Sequence, residues 1–159
     1  SFLFAAPTPE LAQEIRQYLA NASILPSRVD VVTGETRHVL RQARAAVVAS
    51  GTATLEAALM RCPMVIVYKT SALLFALARR IVQVPHIGMA NLIAGRELCP
   101  ERIQGDATPD AVAAAMVPLL TDTEARKEML RGLDEVVRAL GGGGAAERVA
   151  GIVEETFSL

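Results

Sequence analysis

The chain has 159 residues, 52% of them hydrophobic, and a formal charge of −1 from 16 basic and 17 acidic side chains. That is one domain's worth of globular protein able to bury a core, not a disordered tail. The near-neutral balance provides no field that would draw in nucleic acid, and aromatics at 4% with no Trp supply no base-stacking platform. Cys62 and Cys99 are far apart and outside any metal-ligand spacing, which reads as two reduced thiols in a cytosolic protein. His38 and His86 are isolated, so no metal is expected.

Taken in chain order, hydrophobic periodicity predicts a repeating β/α pattern. Phe2 to Ala5 reads as a strand entered almost at the first residue, without the basic flank of a signal peptide, and this abrupt start suggests a piece of a longer protein. Thr8 to Ala22 is an amphipathic helix, with Pro9 at its start and Leu11, Ile15, Tyr18 and Leu19 at helical spacing. Val29 to Val32 is a short β-branched strand and Thr36 to Ala43 a short helix. Ala45 to Ala49 is a strand, Thr52 to Arg61 a helix, and Met64 to Tyr68 a continuous apolar strand. Ala72 to Ile81 reads as a helix, His86 to Met89 as a brief strand and Asn91 to Gly95 as a loop. Ser71 to Met89 is apolar, but Arg79, Arg80 and Pro85 make it too charged and too short to span a bilayer. Thr108 caps the Pro109-Asp110 start of a helix through Leu120 that contains Pro118, and Thr123 to Leu140 is a long helix. The glycines from Gly141 to Gly144 follow a helix rather than a strand and read as a helix stop before Ala145 to Phe157. Strands apolar on both faces and separated by helices predict an α/β fold: a Rossmann-like parallel sheet flanked by helices, one half of a doubly wound architecture.

One stretch carries chemistry. Ala49-Ser50-Gly51-Thr52-Ala53-Thr54-Leu55-Glu56 follows the apolar strand Ala45 to Val48 and opens a helix. A helix N-terminus leaves N–H groups unsatisfied and a partial positive charge, so backbone donors at Ser50, Gly51, Thr52 and Ala53 can hold a phosphate. Glu56, about one turn on, can accept hydrogen bonds from a vicinal diol such as ribose. Together they describe a nucleotide site, although such turns also cap helices in α/β proteins that bind nothing there. Ligands of these sheets sit at the carboxyl ends of the strands, where the Ser50 turn and Tyr68-Lys69-Thr70-Ser71 both emerge and are expected to face one crevice.

Three blocks then carry a family resemblance: Ser50-Gly51-Thr52-Ala53-Thr54-Leu55-Glu56, Cys62-Pro63-Met64-Val65-Ile66-Val67-Tyr68-Lys69, and Asn91-Leu92-Ile93-Ala94-Gly95-Arg96-Glu97-Leu98. In that order and spacing the chain resembles lipid-A-disaccharide synthase, and the third block is the specific one. Glu101-Arg102-Ile103-Gln104 and the glycine break before Ala145-Ala146-Glu147-Arg148 extend the likeness along nearly the whole chain. The resemblance implies a two-domain GT-B glycosyltransferase of which residues 1–159 are a single UDP-sugar-binding domain ending in helices from about residue 123. It implies an inverting hexosyl transfer without metal or cofactor. UDP-2,3-diacylglucosamine and the lipid acceptor 2,3-diacylglucosamine 1-phosphate would give the β-1,6 disaccharide and UDP. The N-terminal domain that carries the family's catalytic Asp, and the Gly-Ser-Arg strand turn, are missing from this sequence, so the isolated chain is expected to be inactive.

Residue by residue, the resemblance implies Ser50, Gly51, Thr52 and Ala53 at the diphosphate and Glu56 at the ribose. It adds Tyr68 and Lys69, where the family often has Tyr-Arg, and Asn91, Gly95 and Arg96 in the specific block. Arg96 would either stabilise leaving-group charge or clamp its loop by pairing with a carboxylate. Ala90 in place of Pro and Leu74 in place of Thr depart from the pattern. The helix from Ala72 to Ile81, with Phe75 and the Arg79-Arg80 pair, either packs internally or meets acyl chains and lipid phosphates, which would make the protein cytoplasmic and peripheral on the inner face of the inner membrane. Homo-oligomers through an uncovered interdomain face are a further expectation. Two alternatives stay open: a transferase like the one that adds GlcNAc in peptidoglycan synthesis, and a nucleotide-binding or assembly module without chemistry.

Overall fold

The computed structural model describes residues 1–22, 28–71, 75, 84–141 and 143–157. In chain order the elements are β1 (Phe2–Ala6), α1 (Pro9–Asn21), β2 (Val29–Thr33), α2 (Thr36–Gln42), β3 (Ala46–Ala49), α3 (Thr52–Leu59) and β4 (Met64–Tyr68). There follow α4 (Met89–Ala94), β5 (Glu101–Ile103), a 3-10 turn (Gln104–Asp106), α5 (Pro109–Leu120), α6 (Glu124–Ala139) and α7 (Ala145–Phe157). Three of the helices start where a threonine says they should. The side chains of Thr8, Thr108 and Thr123 each accept a hydrogen bond from an amide of the following first turn, of Leu11, Ala111 and Arg126 respectively.

All described strand pairs are parallel, and they form two ladders, β1–β2 and β3–β4–β5 in that spatial order. The α/β expectation therefore holds, with helices packed against parallel strands. β4 is paired on both edges and its Met64, Val65 and Ile66 are completely buried. Leu133, Val136 and Met129 of α6 join the same core, and the Met64 amide donates to the Met129 sulfur at 3.4 Å. β1 is a different kind of strand: Phe2, Leu3 and Phe4 are 69%, 46% and 43% exposed. The fold is thus firmest around β3–β5, and that half carries the Ser50 turn.

Two predicted elements need correction. His86 to Met89 is not a strand, and most of the stretch read as the loop Asn91 to Gly95 lies in α4, which Gly95 ends in the left-handed conformation at φ 66°. β5 was not anticipated, because Glu-Arg-Ile is three residues long and lacks an apolar pattern. α5 runs through Pro118, whose carbonyl accepts from the Thr123 hydroxyl at 2.6 Å. Apart from Phe75, the predicted helix from 72 to 81 lies outside the described residues, and with it Leu74, Arg79 and Arg80. Among the described residues no helix is long and apolar enough to cross a membrane, and no group of three or more His, Cys, Asp or Glu could hold a metal.

Cys62 and Cys99 are free thiols in the core. Burial pushes the Cys62 thiol up to about 11 and the Cys99 thiol up to about 12, the nearby Glu101 charge adding to the second. Both therefore stay protonated in the folded protein while an unfolded chain ionises above its ordinary value of 9.0. Their contribution to stability is full below that value and is lost as pH rises toward the folded values, by up to about 1.4 kcal/mol per pH unit and thiol. Urea unfolding between pH 8 and about 11 should show this slope in the wild type and a shallower one in Cys62→Ala/Cys99→Ala; equal slopes would contradict it.

Candidate functional site

The Ser50 turn joins β3 to α3 at the carboxyl edge of the three-stranded ladder. Gly51 is the helix N-cap at φ 140° and ψ −160°, a conformation that disfavours any side chain. Unlike α1, α5 and α6, α3 has no side-chain cap. The Thr54 hydroxyl donates instead to the Gly51 carbonyl at 2.8 Å. The first-turn amides of Thr52 and Ala53 therefore have neither an intrahelical acceptor nor a capping oxygen, and Gly51 and Thr52 are exposed. Ser50 is committed to holding the turn: its amide donates to Val67 O at 2.9 Å and its hydroxyl to Ile87 O at 2.9 Å. The donors open at this edge are consequently backbone groups after Ser50.

Glu56 sits on α3 with its side chain 35% exposed, and Arg37 Nη2 lies 3.7 Å from its Oε1. It lines a cleft of about 540 Å³ with Pro7, Gly34, Glu35, Thr36, Arg37 and His38, so the carboxyl ends of β1 and β2 form the other wall. Lys69 and Thr70 line a second cleft, of about 350 Å³, with Gln104, Gly105, Ala107, Thr108 and Pro109. The Ser50 turn and Tyr68-Lys69-Thr70-Ser71 were expected to face one crevice; Lys69 and Thr70 line a cleft separate from that of Glu56, and no residue from Ser50 to Ala53 lines either of these two. Tyr68 is 37% exposed at the end of β4.

In the Asn-Leu-Ile-Ala-Gly-Arg block it is Asn91 that faces inward, while Leu92, Gly95 and Arg96 are exposed. Asn91 is fully buried; its Nδ2 donates to Cys99 O at 2.7 Å and to Glu101 Oε1 at 2.9 Å, while its Oδ1 accepts from the Cys99 amide at 2.8 Å. Arg96 reaches α6, where its Nη1 and Nη2 lie 3.3 and 3.2 Å from Glu135 Oε2. Gly132 leaves the space for this contact: a Cβ there would stand 2.2 Å from Leu98 Cδ1 and 3.1 Å from Arg96 Nη2. Arg96 is half-exposed and is paired with Glu135 rather than with the adjacent Glu97, whose carboxylate accepts from the Glu101 amide. Residue types and spacing assign no role to Arg37, Thr54, Glu101 or Gln104. Thr54 lies within the turn motif, Glu101 and Gln104 enter only as part of the family resemblance, and nothing marks Arg37.

Asn91→Ala would leave the amide and carbonyl of buried Cys99 without partners, a loss of roughly 2–4 kcal/mol that urea unfolding would measure. A change below about 0.5 kcal/mol would mean that the side chain is not the brace described.

Comparison with known proteins follows the same residues. The family profile described as lipid-A-disaccharide synthetase matches residues 1–147. Among similar proteins, the lipid-A-disaccharide synthase of Anaeromyxobacter sp. (strain K) is 46% identical over 145 residues, 91% of this chain and 37% of the relative. That of Acidobacterium capsulatum is 45% identical over 161 residues, 94% of this chain and 40% of the relative. The Pseudomonas fluorescens protein is 38% identical over 155 residues, 96% and 40%. The chain therefore spans about two-fifths of the length of these relatives. With the profile covering all but its last residues, and the Ser50 turn, the β4 strand and the Asn91 block lying inside the match, this chain belongs to the lipid-A-disaccharide synthetase family.

Proposed function

We propose that this chain is the UDP-donor-binding part of a glycosyltransferase that moves 2,3-diacylglucosamine from UDP to 2,3-diacylglucosamine 1-phosphate, forming the β-1,6 lipid A disaccharide and releasing UDP. The observation that carries the reading is the uncapped start of α3 behind Gly51, in a chain of this family. The amides of Gly51, Thr52 and Ala53 meet the diphosphate, and the helix end favours its charge before transfer and the larger charge on the leaving UDP afterwards. Glu56, in the larger cleft, accepts the ribose hydroxyls. Lys69 lies along the same edge as a point charge for phosphate, a looser partner than the bidentate fork of an arginine. Ser50 and Asn91 act from beneath the surface, holding the turn and the 87–91 segment, while Gly95 and the exposed Arg96 hold the following loop against α6.

The acceptor hydroxyl attacks the sugar carbon from the face opposite the diphosphate, the bond from that carbon to phosphate oxygen breaks with inversion, and the proton leaves to a base outside this chain. Binding of the acceptor, docking of the remaining length of the enzyme and a peripheral membrane position belong to the same proposal. Family membership sets aside the peptidoglycan alternative.

Calorimetric titration with UDP tests the reading. Saturable binding that Glu56→Ala weakens by roughly tenfold or more is expected, the size of one or two hydrogen bonds to a charged acceptor. Binding of equal strength in both proteins would remove Glu56 from the site, and no binding in either would leave this chain without the donor role.

A further inference from the structure

We propose that Glu101, which opens the short strand β5, and Gln104, which follows it, are positioning residues that set the backbone of the donor site. The proposal rests on the UDP-donor reading for its ligand but on hydrogen bonds within the fold for its geometry. Three donors converge on Glu101: the Gly88 amide at 2.9 Å and Asn91 Nδ2 at 2.9 Å on Oε1, and the Ile87 amide at 3.0 Å on Oε2. Such charge-assisted bonds are about twice as strong as neutral ones. Gly88 makes the approach possible, since a Cβ there would lie 2.3 Å from Ile66 Cδ1 and 3.2 Å from Glu101 Oε1. The β4–β5 register pairs Ile66 with Glu101, so both side chains meet the glycine from neighbouring strands.

From this anchored segment two bonds run to the turn. Ser50 Oγ donates to Ile87 O at 2.9 Å, and the Met89 amide donates at 3.2 Å to Thr54 Oγ1, whose own hydrogen goes to Gly51 O. The path from Glu101 to Gly51 is therefore continuous, through residues that form no strand of their own. Gln104 does the same for the second cleft. Its Oε1 accepts from the Thr70 amide at 2.8 Å and its Nε2 donates to Thr70 O at 3.1 Å, fixing the residue next to Lys69. Gln104 holds a left-handed φ of 52°, unfavourable for a residue with a side chain, and the two bonds to Thr70 oppose that strain. The bonds of Glu101 go to Ile87, Gly88 and Asn91 and those of Gln104 to Thr70, so both act through others, although Gln104 also lines the cleft of Lys69.

Isosteric variants isolate the role. In Glu101→Gln an NH₂ replaces an oxygen and opposes a backbone N–H; in Gln104→Glu an oxygen opposes the Thr70 carbonyl. Glu101→Asp, which keeps the charge but shortens the reach, serves if Glu101→Gln does not fold. Val136→Ala, in the core on α6, lowers stability without touching the site. The expected result in the full chain is a UDP affinity lowered by roughly five- to tenfold or more in each Glu101 and Gln104 variant, and unchanged in Val136→Ala. Amide exchange should accelerate at the hydrogen-bonded amides of Ile87, Gly88, Met89 and Thr54 in the Glu101 variants, and at Thr70 in Gln104→Glu, while Val65 and Ile66 keep wild-type protection relative to global stability. Affinities within about twofold of wild type, with exchange at Met89 and Thr54 unchanged, would overturn the proposal. If the wild type itself does not bind UDP, the donor reading fails and exchange alone decides: acceleration at Met89 and Thr54 in the Glu101 variants supports positioning, and its absence refutes it.

Discussion

A segment that runs through a packed site without belonging to a strand must satisfy its backbone polar groups with side chains, and this constraint organises the carboxyl edge of the sheet. Residues 84–88 form neither helix nor strand, yet Gly88 is buried. The amides of Ile87 and Gly88 go to Glu101 and the Ile87 carbonyl accepts from Ser50, while Thr54 takes the first amide of α4. The consequence reaches outward. The N-cap of α3 is Gly51, which has no side chain, and Ser50 and Thr54 on either side of it are committed to this segment, so the helix start that faces solvent keeps its backbone donors uncapped. The same bonds that bury one piece of backbone leave another able to bind an anion.

The two halves of the structure divide the work unequally. The Ser50 turn and Lys69 leave strands of the ladder built around β4, whose first three side chains are wholly buried. Preorganised donors are most useful on such a rigid base, because they need no rearrangement to meet charge. The opposite wall of the larger cleft comes from the ends of β1 and β2, and β1 exposes three consecutive apolar side chains. Fewer buried contacts make this the half that opens at lower free energy. A ligand spanning the cleft would thus meet a fixed wall at its charged end and an adaptable one beside Glu56.

How much of this was legible in the sequence follows from which interactions are local. The apolar run Met64 to Tyr68 and the threonines before α1, α5 and α6 announced their elements, because a buried strand and a helix cap depend on a few consecutive residues. β5 and α4 did not, being three and six residues long and specified by partners elsewhere. At the site the same division holds. The strand-turn-helix around Ser50 was readable, with Glu56 one helical turn on, but the partners of a side chain were not. Asn91 faces Cys99 and Glu101, and the carboxylate that Arg96 pairs with is Glu135, on a helix 39 residues away. Glu101 entered with the family resemblance but without a role, because its partners are backbone amides 13 and 14 residues earlier, a relation that spacing does not encode.

The central claim is that backbone amides after Ser50 hold the diphosphate. Amide chemical shifts of the chain, followed by heteronuclear NMR during titration with UDP, test it most directly. The account predicts that the largest saturable shifts fall on Gly51, Thr52 and Ala53, with smaller ones at Glu56 and in the Gly34 to His38 wall. Saturable binding whose largest shifts lie elsewhere, for example along the glycines after α6, would contradict it.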